Sequence, residues 1–277
     1  MSWRAVVAAL DEHAAFRSQV SLYLHPLAGR ATLWHVVRAL LAVSPPPREI
    51  VVVHLQGSNT QVDVDADVQI RYVAVEPGTE SRALRAAVTP PGMTVLVDGS
   101  AALVTPATIT RLLRAAEHGV ASVRGDTELA TSIAVAGEGP ALASADDPRV
   151  PNGAALVAPT HAEELLQVLD RHTLSDAAVA LRDRLVRQHE RGGVSFLLPA
   201  TTWLDVDVRI GADTLVYPSV VLEGSTDVAG ECVIGPYSRI VDSEVGRGAE
   251  LKGWNYLCRT RVRSRAVLEA YARRGDD

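Results

Sequence analysis

The first half of the chain alternates short apolar runs with stretches of helical spacing. Aliphatic runs of strand length predict buried strands at residues 4–10, 49–55, 68–75 and 93–98. Apolar positions at helical spacing predict helices at residues 33–43, 81–88 and 106–118. Beyond residue 122 the pattern weakens, and we predict strands at 131–136 and 153–158. Strands that alternate with helices predict an α/β doubly wound domain, with a mostly parallel sheet between two layers of helices.

The last third of the chain has a different pattern, because aliphatic residues recur there at intervals of six. The series is Leu204, Ile210, Val216, Leu222, Val228, Ile234 and Ile240, and after one five-residue step it continues at Val245, Leu251 and Leu257. Small or compact residues follow four positions later at Thr214, Val220, Thr226, Cys232, Ser238 and Ala249. This period predicts a parallel β-helix, in which the aliphatic side chains point inward and the small residues fit the corners. With roughly three hexapeptides per coil, we expect about three coils.

A charged amphipathic helix is predicted between these two regions, at residues 174–191, where Gly192 and Gly193 end it. We therefore place an α/β domain at residues 1–172, a linker helix at 173–199 and the β-helix at 200–266. Residues 267–277 are predicted to form a C-terminal helix or tail. Alternate arginines at residues 259–265 are predicted to form a polar cap that ends the solenoid.

Composition and charge narrow the classes of function. The formal net charge is −6, which argues against nucleic acid as a partner because no overall positive field is present. No stretch approaches the roughly 18–20 apolar residues of a membrane span, and the N-terminus lacks the pattern of a signal peptide, so we expect a cytoplasmic protein without a membrane partner. Lys252 is the only lysine, which excludes mechanisms that need a lysine in the first 251 residues.

Six segments carry a resemblance to a known family. They are 25–36 (HPLAGRATLWHV), 95–100 (VLVDGS), 181–194 (LRDRLVRQHERGGV) and the β-helix segments 199–204 (PATTWL), 222–224 (LEG) and 241–246 (VDSEVG). With them the chain resembles the bifunctional N-acetylglucosamine-1-phosphate uridyltransferase / glucosamine-1-phosphate acetyltransferase family as a truncated, degenerate member. The resemblance implies a nucleotidyltransferase-like first domain, a left-handed β-helix and a homotrimer formed through that helix.

The family's uridyltransferase needs a glycine-rich turn, basic side chains and a magnesium ion, and the chain lacks most of the matching residues. The segment that matches the turn contains no glycine and carries Asp11 and Glu12, which would repel the phosphates of UTP. The resemblance places the family's arginine at Ala15 and its lysine at Leu22. It places the metal-binding aspartate at Ser100 and the second metal ligand, an asparagine, near Leu169. We therefore predict no catalytic residues.

Some substrate contacts of the family are retained in the sequence. The retained candidates are Gly29, Gly78, Thr79, Asp98, Asn152 and Gly153. Turn geometry is the competing interpretation of the glycines. No metal site is predicted, and Asp98 is the single candidate ligand if one exists. The family's acetyltransferase uses a histidine base from later coils, and the chain has no histidine after His189, so we do not expect that activity.

Three hypotheses follow. The favoured one is a catalytically inactive relative that acts as a trimeric scaffold, a regulator or a sugar-nucleotide binder without a cofactor. The second is a reduced nucleotidyltransferase that uses an NTP and a sugar 1-phosphate, with Mg²⁺ and a rearranged site built from Asp98, Arg17 and Arg30. The third is a regulatory subunit that binds an active paralogue.

Overall fold

The computed structural model describes residues 2–10, 16–124, 132–151 and 153–275. The chain divides into two compact units. The first comprises Met1–Leu27 and Ala31–Ala177, and the second comprises Ala28–Arg30 and Ala178–Asp277. Among the described residues, no helix combines the length and apolar character that crossing a bilayer requires.

The elements of the first part of the chain follow the predicted alternation. The strands are β1 (Trp3–Ala9), β2 (Pro26–Leu27), β3 (Arg30–Ala31), β4 (Glu49–Leu55), β5 (Gln69–Val75), β6 (Met93–Asp98), β7 (Ala121–Val123), β8 (Ala134–Glu138) and β9 (Ala155–Leu156). The helices are α1 (Thr32–Leu41), α2 (Glu80–Val88), α3 (Pro106–Ala116) and α4 (Gly139–Ala143). Short 3₁₀ turns occur at Leu22–Leu24 and Ala162–Leu165.

Seven of these strands form one sheet in the order β5-β4-β1-β6-β8-β7-β9. The strands β5, β4, β1 and β6 are mutually parallel, whereas β8 runs antiparallel to both β6 and β7. The central strand β1 is buried at every position, as expected for a parallel strand covered on both faces. Its Ala8 lies opposite Val53 of β4 and opposite Asp98 of β6. The carboxyl ends of these three strands therefore meet at one edge of the sheet.

The predicted α/β doubly wound class is confirmed, and the periodic pattern located its main strands and helices closely. The predicted strand at 49–55 coincides with β4, and that at 93–98 coincides with β6. The short β7 and the five-residue α4 were not predicted, because segments of this length carry too little periodicity. The strand predicted at 131–136 overlaps β8, and the strand predicted at 153–158 contains β9. Residue 131, where one predicted strand begins, lies outside the described residues.

The rest of the chain consists of one long helix and many short strands. The helix α5 (Arg171–Arg191) is followed by β10 (Ser195–Phe196), β11 (Trp203–Leu204), β12 (Arg209–Ile210), β13 (Leu215–Val216), β14 (Val221–Glu223), β15 (Asp227–Val228), β16 (Val233–Ile234), β17 (Arg239–Val241), β18 (Glu244–Val245), β19 (Glu250–Leu251), β20 (Tyr256–Cys258), β21 (Arg261–Val262), β22 (Val267–Leu268) and β23 (Arg273–Arg274). Every third strand pairs in parallel, which builds three sheets: β10-β13-β16-β19-β22, β11-β14-β17-β20-β23 and β12-β15-β18-β21.

The predicted parallel β-helix is confirmed, and the six-residue period describes its interior. Leu222, Ile240 and Leu257 are stacked in register and have no exposed surface. The compact residues fill the corners, where Thr226, Cys232 and Ser238 are likewise fully buried. The five-residue step leaves out one residue between β17 and β18, while Val228 and Val245 remain in register. Repeated strands therefore tolerate one shorter corner.

The corners of the β-helix use left-handed backbone geometry. Positive φ angles recur in columns along the solenoid, for example at Asp213 (62°), Glu231 (64°) and Arg265 (57°). A second column consists of Tyr237, Trp254 and Tyr271. These three rings are exposed and stacked, with centroids 5.4 and 5.6 Å apart. Glycine is required for another reason at Gly246, where a Cβ would lie 2.5 Å from the backbone nitrogen of Ser264 in the next coil.

Three predictions about the ends of the β-helix are wrong. The described residues 267–275 do not form the predicted closing helix, because Val267–Leu268 and Arg273–Arg274 are strands that pair with β19 and β20. The arginines at residues 259–265 accordingly do not end the solenoid, which continues for another coil. The first strand, β10, also precedes the predicted start of the β-helix at residue 200. The wrong prediction arose because the last coil carries charged residues at outward positions, which imitates an amphipathic helix.

Candidate ligand site at the carboxyl edge of the sheet

The topology of the first unit determines where a ligand can bind. In doubly wound sheets, ligands bind beyond the carboxyl ends of the strands, where the strand order reverses. Here the order reverses between β1 and β6, since β4 and β5 lie to one side of β1 and β6 to the other. The segments that follow β1, β4 and β6 therefore surround the candidate site.

A pocket of about 560 Å³ lies at this edge, beyond the carboxyl ends of β1 and β4. We call it the amide-rimmed pocket. Its apolar walls include the buried side chains of Phe16, Leu22, Tyr23 and Leu55. Its polar lining includes the exposed Gln19, Gln56 and Asn59, together with serine hydroxyls and backbone. The remaining lining residues are Ala9, Ser18, Val20, Ser21, Leu24, Gly57 and Ser58. An apolar floor with a few polar groups at its mouth is typical of small-molecule sites.

Phe16 is held in the pocket wall by two neighbours. The imidazole of His25 lies with its centroid 4.4 Å from the centroid of the Phe16 ring. The Arg171 guanidinium lies 5.7 Å from the same centroid, and Arg171 Nε donates a hydrogen bond of 3.1 Å to the Phe16 carbonyl. Burial, and then the positive charge of Arg171, lower the pKa of His25 below its ordinary value. A neutral imidazole is therefore favoured beside the ring.

Asp98, at the end of β6, forms a tight turn rather than an open ligand. Its Oδ1 accepts hydrogen bonds from the Ser100 backbone N–H at 2.8 Å and from Ser100 Oγ at 2.7 Å. Ser100 Oγ also accepts a hydrogen bond from Gln167 Nε2 at 3.2 Å. Asp98 is 4% exposed and Ser100 is fully buried. This is the pattern of an aspartate that satisfies the backbone two residues further along the chain.

Gly99 lies between these residues because the backbone passes close to β1. A Cβ at this position would lie 2.9 Å from Cε1 of Tyr23 and 3.0 Å from the carbonyl oxygen of Ala8. The Gly99 N–H donates a hydrogen bond of 2.8 Å to that same carbonyl. Glycine is therefore needed here for the close approach of two strand ends, and Tyr23 connects this contact to the pocket wall.

The resemblance implies a magnesium ion, and the residues present do not suit one. Mg²⁺ requires near-octahedral oxygen ligation and is usually held by one or two carboxylates with open oxygen atoms. Asp98 Oδ1 is already used by Ser100, and Ser100 is buried. In the described part of the chain, no cluster of three or more His, Cys, Asp or Glu side chains could hold a metal ion. The residues around Asp98 therefore do not fit a magnesium ion.

The other predicted contact residues lie in turns. Gly78 has a φ of +84°, and Thr79 Oγ1 donates a hydrogen bond of 2.7 Å to the Glu76 carbonyl, so both shape the exposed turn before α2. Gly153 is exposed with a φ of +70°. Gly29 belongs to the second unit and has a φ of +81°. None of these residues is among the described residues that line the amide-rimmed pocket.

Two groups of predicted residues lie outside the described residues. They are Asn152, a proposed substrate contact, and the segment 11–15, which includes Asp11, Glu12 and Ala15. The predicted contribution of their side chains to a site therefore stays a prediction from the sequence.

The residues that form the pocket wall were missed by the sequence analysis. Gln56 and Asn59 could have been found, because they immediately follow the strand at 49–55 and parallel strands bring such residues to the ligand edge. Phe16 and Tyr23 had no comparable signal. They lie in an irregular segment, and their burial depends on contacts with Arg171 and Gly99, which are distant in sequence.

Comparison with known proteins adds the following findings. No family model matches the chain. Among curated proteins, the chain is 41% identical over 90 residues to the bifunctional protein GlmU of Geobacillus sp. (strain WCH70), which covers 32% of this chain and 20% of that protein. It is 49% identical over 84 residues to bifunctional protein GlmU of Mycolicibacterium gilvum, covering 30% and 17%. The chain thus spans about a fifth of the length of the curated relatives it matches.

Solved structures resemble the chain in fold. A nucleotidyl transferase from Methanothermobacter thermautotroptrophicus superposes with a TM-score of 0.51 and 20% identity, over 68% of this chain and 99% of that one. A homologue, from Mycobacterium sp. strain JC1, of a Mycobacterium tuberculosis protein superposes with a TM-score of 0.52 and 15% identity, over 66% and 98%. The N-terminal fold is therefore nucleotidyltransferase-like.

Proposed function

Since the chain is related to the bifunctional GlmU proteins over about a third of its length, we propose that it is a non-catalytic, nucleotidyltransferase-like protein. Its first unit keeps a ligand pocket at the edge where this class of fold binds its substrates, and its β-helix acts as a scaffold that joins three copies. The proposal concerns a compound of the nucleoside or sugar class as ligand, bound without turnover.

The main support for a loss of catalysis is the buried turn formed by Asp98 and Ser100. The resemblance places the metal-binding aspartate at Ser100, where the structure has a fully buried hydroxyl that bonds to Asp98 and Gln167. Nucleotidyl transfer needs a metal ion and basic groups to neutralise charge on the phosphates. A serine in this position supplies no charge, and Asp98 Oδ1 already accepts two hydrogen bonds from Ser100.

A second replacement lies in the pocket wall and supports the same conclusion. The resemblance places a lysine at Leu22, and Leu22 is a buried apolar residue that lines the amide-rimmed pocket. The alternative site built from Asp98, Arg17 and Arg30 gains no support. Asp98 is hydrogen-bonded to Ser100, and Arg30 forms an ion pair with Asp207 at 2.6 Å. Each group thus stabilises a local structure.

The decisive experiment measures pyrophosphate release from the full chain with Mg²⁺, each of the four NTPs and several sugar 1-phosphates. A catalytically active GlmU protein serves as the positive control. We expect no turnover above the background without protein. Turnover that is abolished by Asp98→Asn in a protein that still folds would overturn the proposal. The asparagine keeps an acceptor oxygen for Ser100, so this variant separates a loss of charge from a loss of the turn.

The trimer is a separate part of the proposal. The β-helix presents outward apolar side chains such as Leu197, Leu198 and Val267, which are 54%, 48% and 55% exposed. Contact between copies of the solenoid would remove this surface from water. Sedimentation equilibrium of the full chain is expected to give three times the mass of 29.5 kDa. A monomer at all concentrations tested would contradict the scaffold role and leave the loss of catalysis unaffected.

A further inference from the structure

The amide-rimmed pocket has an uncharged lining among its described residues, and this property bears on the class of ligand that it can bind. None of its described lining residues has an ionisable acid or base, apart from the phenol of Tyr23. The five residues between Leu10 and Phe16 contain no arginine or lysine; their ionisable residues are Asp11, Glu12 and His13. A site for phosphates normally offers arginine, lysine, a metal ion or a helix N-terminus.

Arg17 is close to the pocket in sequence and Arg171 is close to it in space. Neither arginine lines the cavity. Arg17 lies between two lining residues in the sequence, yet it is exposed and does not line the cavity. Arg171 contacts the ring of Phe16 and donates a hydrogen bond to the Phe16 carbonyl. It therefore supports the pocket wall and is not among the residues that line the cavity.

The polar groups that are present suit an uncharged ring. Gln19, Gln56 and Asn59 each carry a carbonyl acceptor and an amide donor side by side. Such pairs match the adjacent donors and acceptors of a nucleobase edge or of sugar hydroxyls. Phe16 and Tyr23 contribute to the apolar wall against which such a ring can pack. A cavity of about 560 Å³ is within the range of small-molecule sites.

We infer that the amide-rimmed pocket binds an uncharged, multiply hydrogen-bonding ring compound, a nucleoside or a neutral monosaccharide, and discriminates against its phosphorylated form. The inference rests on the proposed function, because it assigns the ligand class of the same site. The physical reason is desolvation. A phosphate placed at this mouth gives up hydration and finds amides and hydroxyls instead of cations, whereas the uncharged compound loses nothing by the absence of charge. The net charge of −6 adds a repulsive field for anions.

Calorimetric titration of the full chain tests this inference. The probes are adenosine, cytidine, guanosine and uridine, each with its 5′-monophosphate and 5′-triphosphate, and N-acetylglucosamine with its 1-phosphate. We expect at least one uncharged probe to bind, and its phosphorylated form to bind at least about tenfold more weakly, with no rescue by Mg²⁺. The nucleoside and sugar arms identify the source of the ring.

Two lysine variants supply a matched control. Gln56→Lys adds one cation at the mouth of the pocket, and Gln61→Lys adds the same charge at an exposed position five residues further along the chain that does not line it. We expect Gln56→Lys to narrow the difference between the uncharged probe and its phosphate by about tenfold. Gln61→Lys should leave that difference within about twofold, since an exposed charge outside the site is screened by salt.

The outcomes separate this inference from the proposed function. A phosphorylated probe that binds more tightly than its uncharged parent overturns the inference, as does the absence of binding by every probe. An equal effect of the two lysine variants also overturns it, because the selectivity would then not come from the pocket. None of these results bears on turnover, which the pyrophosphate assay measures independently.

Discussion

The β-helix and the α/β unit respond differently to changes in sequence. In the β-helix, each inward position repeats along the solenoid, so Leu222, Ile240 and Leu257 perform the same packing role in successive coils. In the α/β unit, each residue of the candidate site occurs once. Ser100 and Leu22 stand where the resemblance expects an aspartate and a lysine, and the sheet around them remains intact. The α/β sheet thus forms without these two charged groups, whereas the core of the β-helix is built from the same inward position in successive coils.

We expect the largest loss of stability from a substitution in the interior of the β-helix. Ile240→Ala removes a fully buried side chain between Leu222 and Leu257 and should lower the free energy of unfolding by about 2–5 kcal/mol. The control is Val267→Ala, at an outward position that is 55% exposed, for which we expect about 0.5 kcal/mol or less. Denaturant unfolding of both variants provides the measurement. Equal losses would show that the inward column does not dominate stability.

We expect the second largest loss of stability from a substitution at the contact between the ends of β1 and β6 in the α/β unit. Gly99→Ala places a Cβ 2.9 Å from Tyr23 Cε1 and 3.0 Å from the Ala8 carbonyl oxygen. We expect overpacking to cost about 1–3 kcal/mol, measured by thermal and denaturant unfolding. Gly119→Ala is the control, because its Cβ would meet no atom within 4 Å and only backbone strain remains. A loss at Gly99 no greater than that at Gly119 would contradict the close approach.

We expect the stability of the folded protein to depend on pH through His25, which packs against Phe16 of the pocket wall. Its pKa is lowered in the folded protein by burial and by Arg171, so folding favours the neutral imidazole. The stability this provides is complete above the unfolded pKa of about 6.5 and is lost as the pH falls through the lower folded pKa. The difference in unfolding free energy between wild type and His25→Gln should therefore shrink or reverse as the pH falls below about 6.5. Parallel pH profiles for the two proteins would contradict this coupling.

The smallest effect is expected at the surface of the β-helix. Arg247 Nη2 lies 2.5 Å from Glu231 Oε1, and both side chains are more than half exposed. Exposed ion pairs contribute little because water and salt screen them, so Arg247→Ala should lower the free energy of unfolding far less than Ile240→Ala does. The cost should fall further in about 1 M salt. A larger, salt-independent loss would mean that the outward charges contribute to stability as much as the packed interior does.

Repetition explains why the β-helix was the most predictable region. One inward residue such as Val216 is weak evidence, whereas the same choice in successive coils is strong evidence, because each coil must bury its face against the next. The prediction failed at the last coil, where Val267–Leu268 and Arg273–Arg274 were assigned to a helix. There the outward charges matched a helical period, and pairing with β19 and β20 decided the structure.

The candidate site was predictable only in part. The turn at Asp98 was located from the strand at 93–98, and its chemistry followed from the residue types. Its burial did not follow, since Gln167 and Val168, which hydrogen-bond to Ser100, come from a segment almost seventy residues away. The pocket wall had even less local signal, because Phe16 is held by Arg171, which follows more than 150 residues later.

The sequence by itself determined the alternation of strands and helices, the β-helix period and the absence of the expected lysine and aspartate. These are local properties, since periodicity and residue type can be read within a few turns of the chain. The tertiary structure alone decided that Asp98 is enclosed by Ser100, that Phe16 and Tyr23 form a pocket wall, and that this pocket has no charged lining among its described residues. These features depend on contacts between distant segments, which the order of residues does not state.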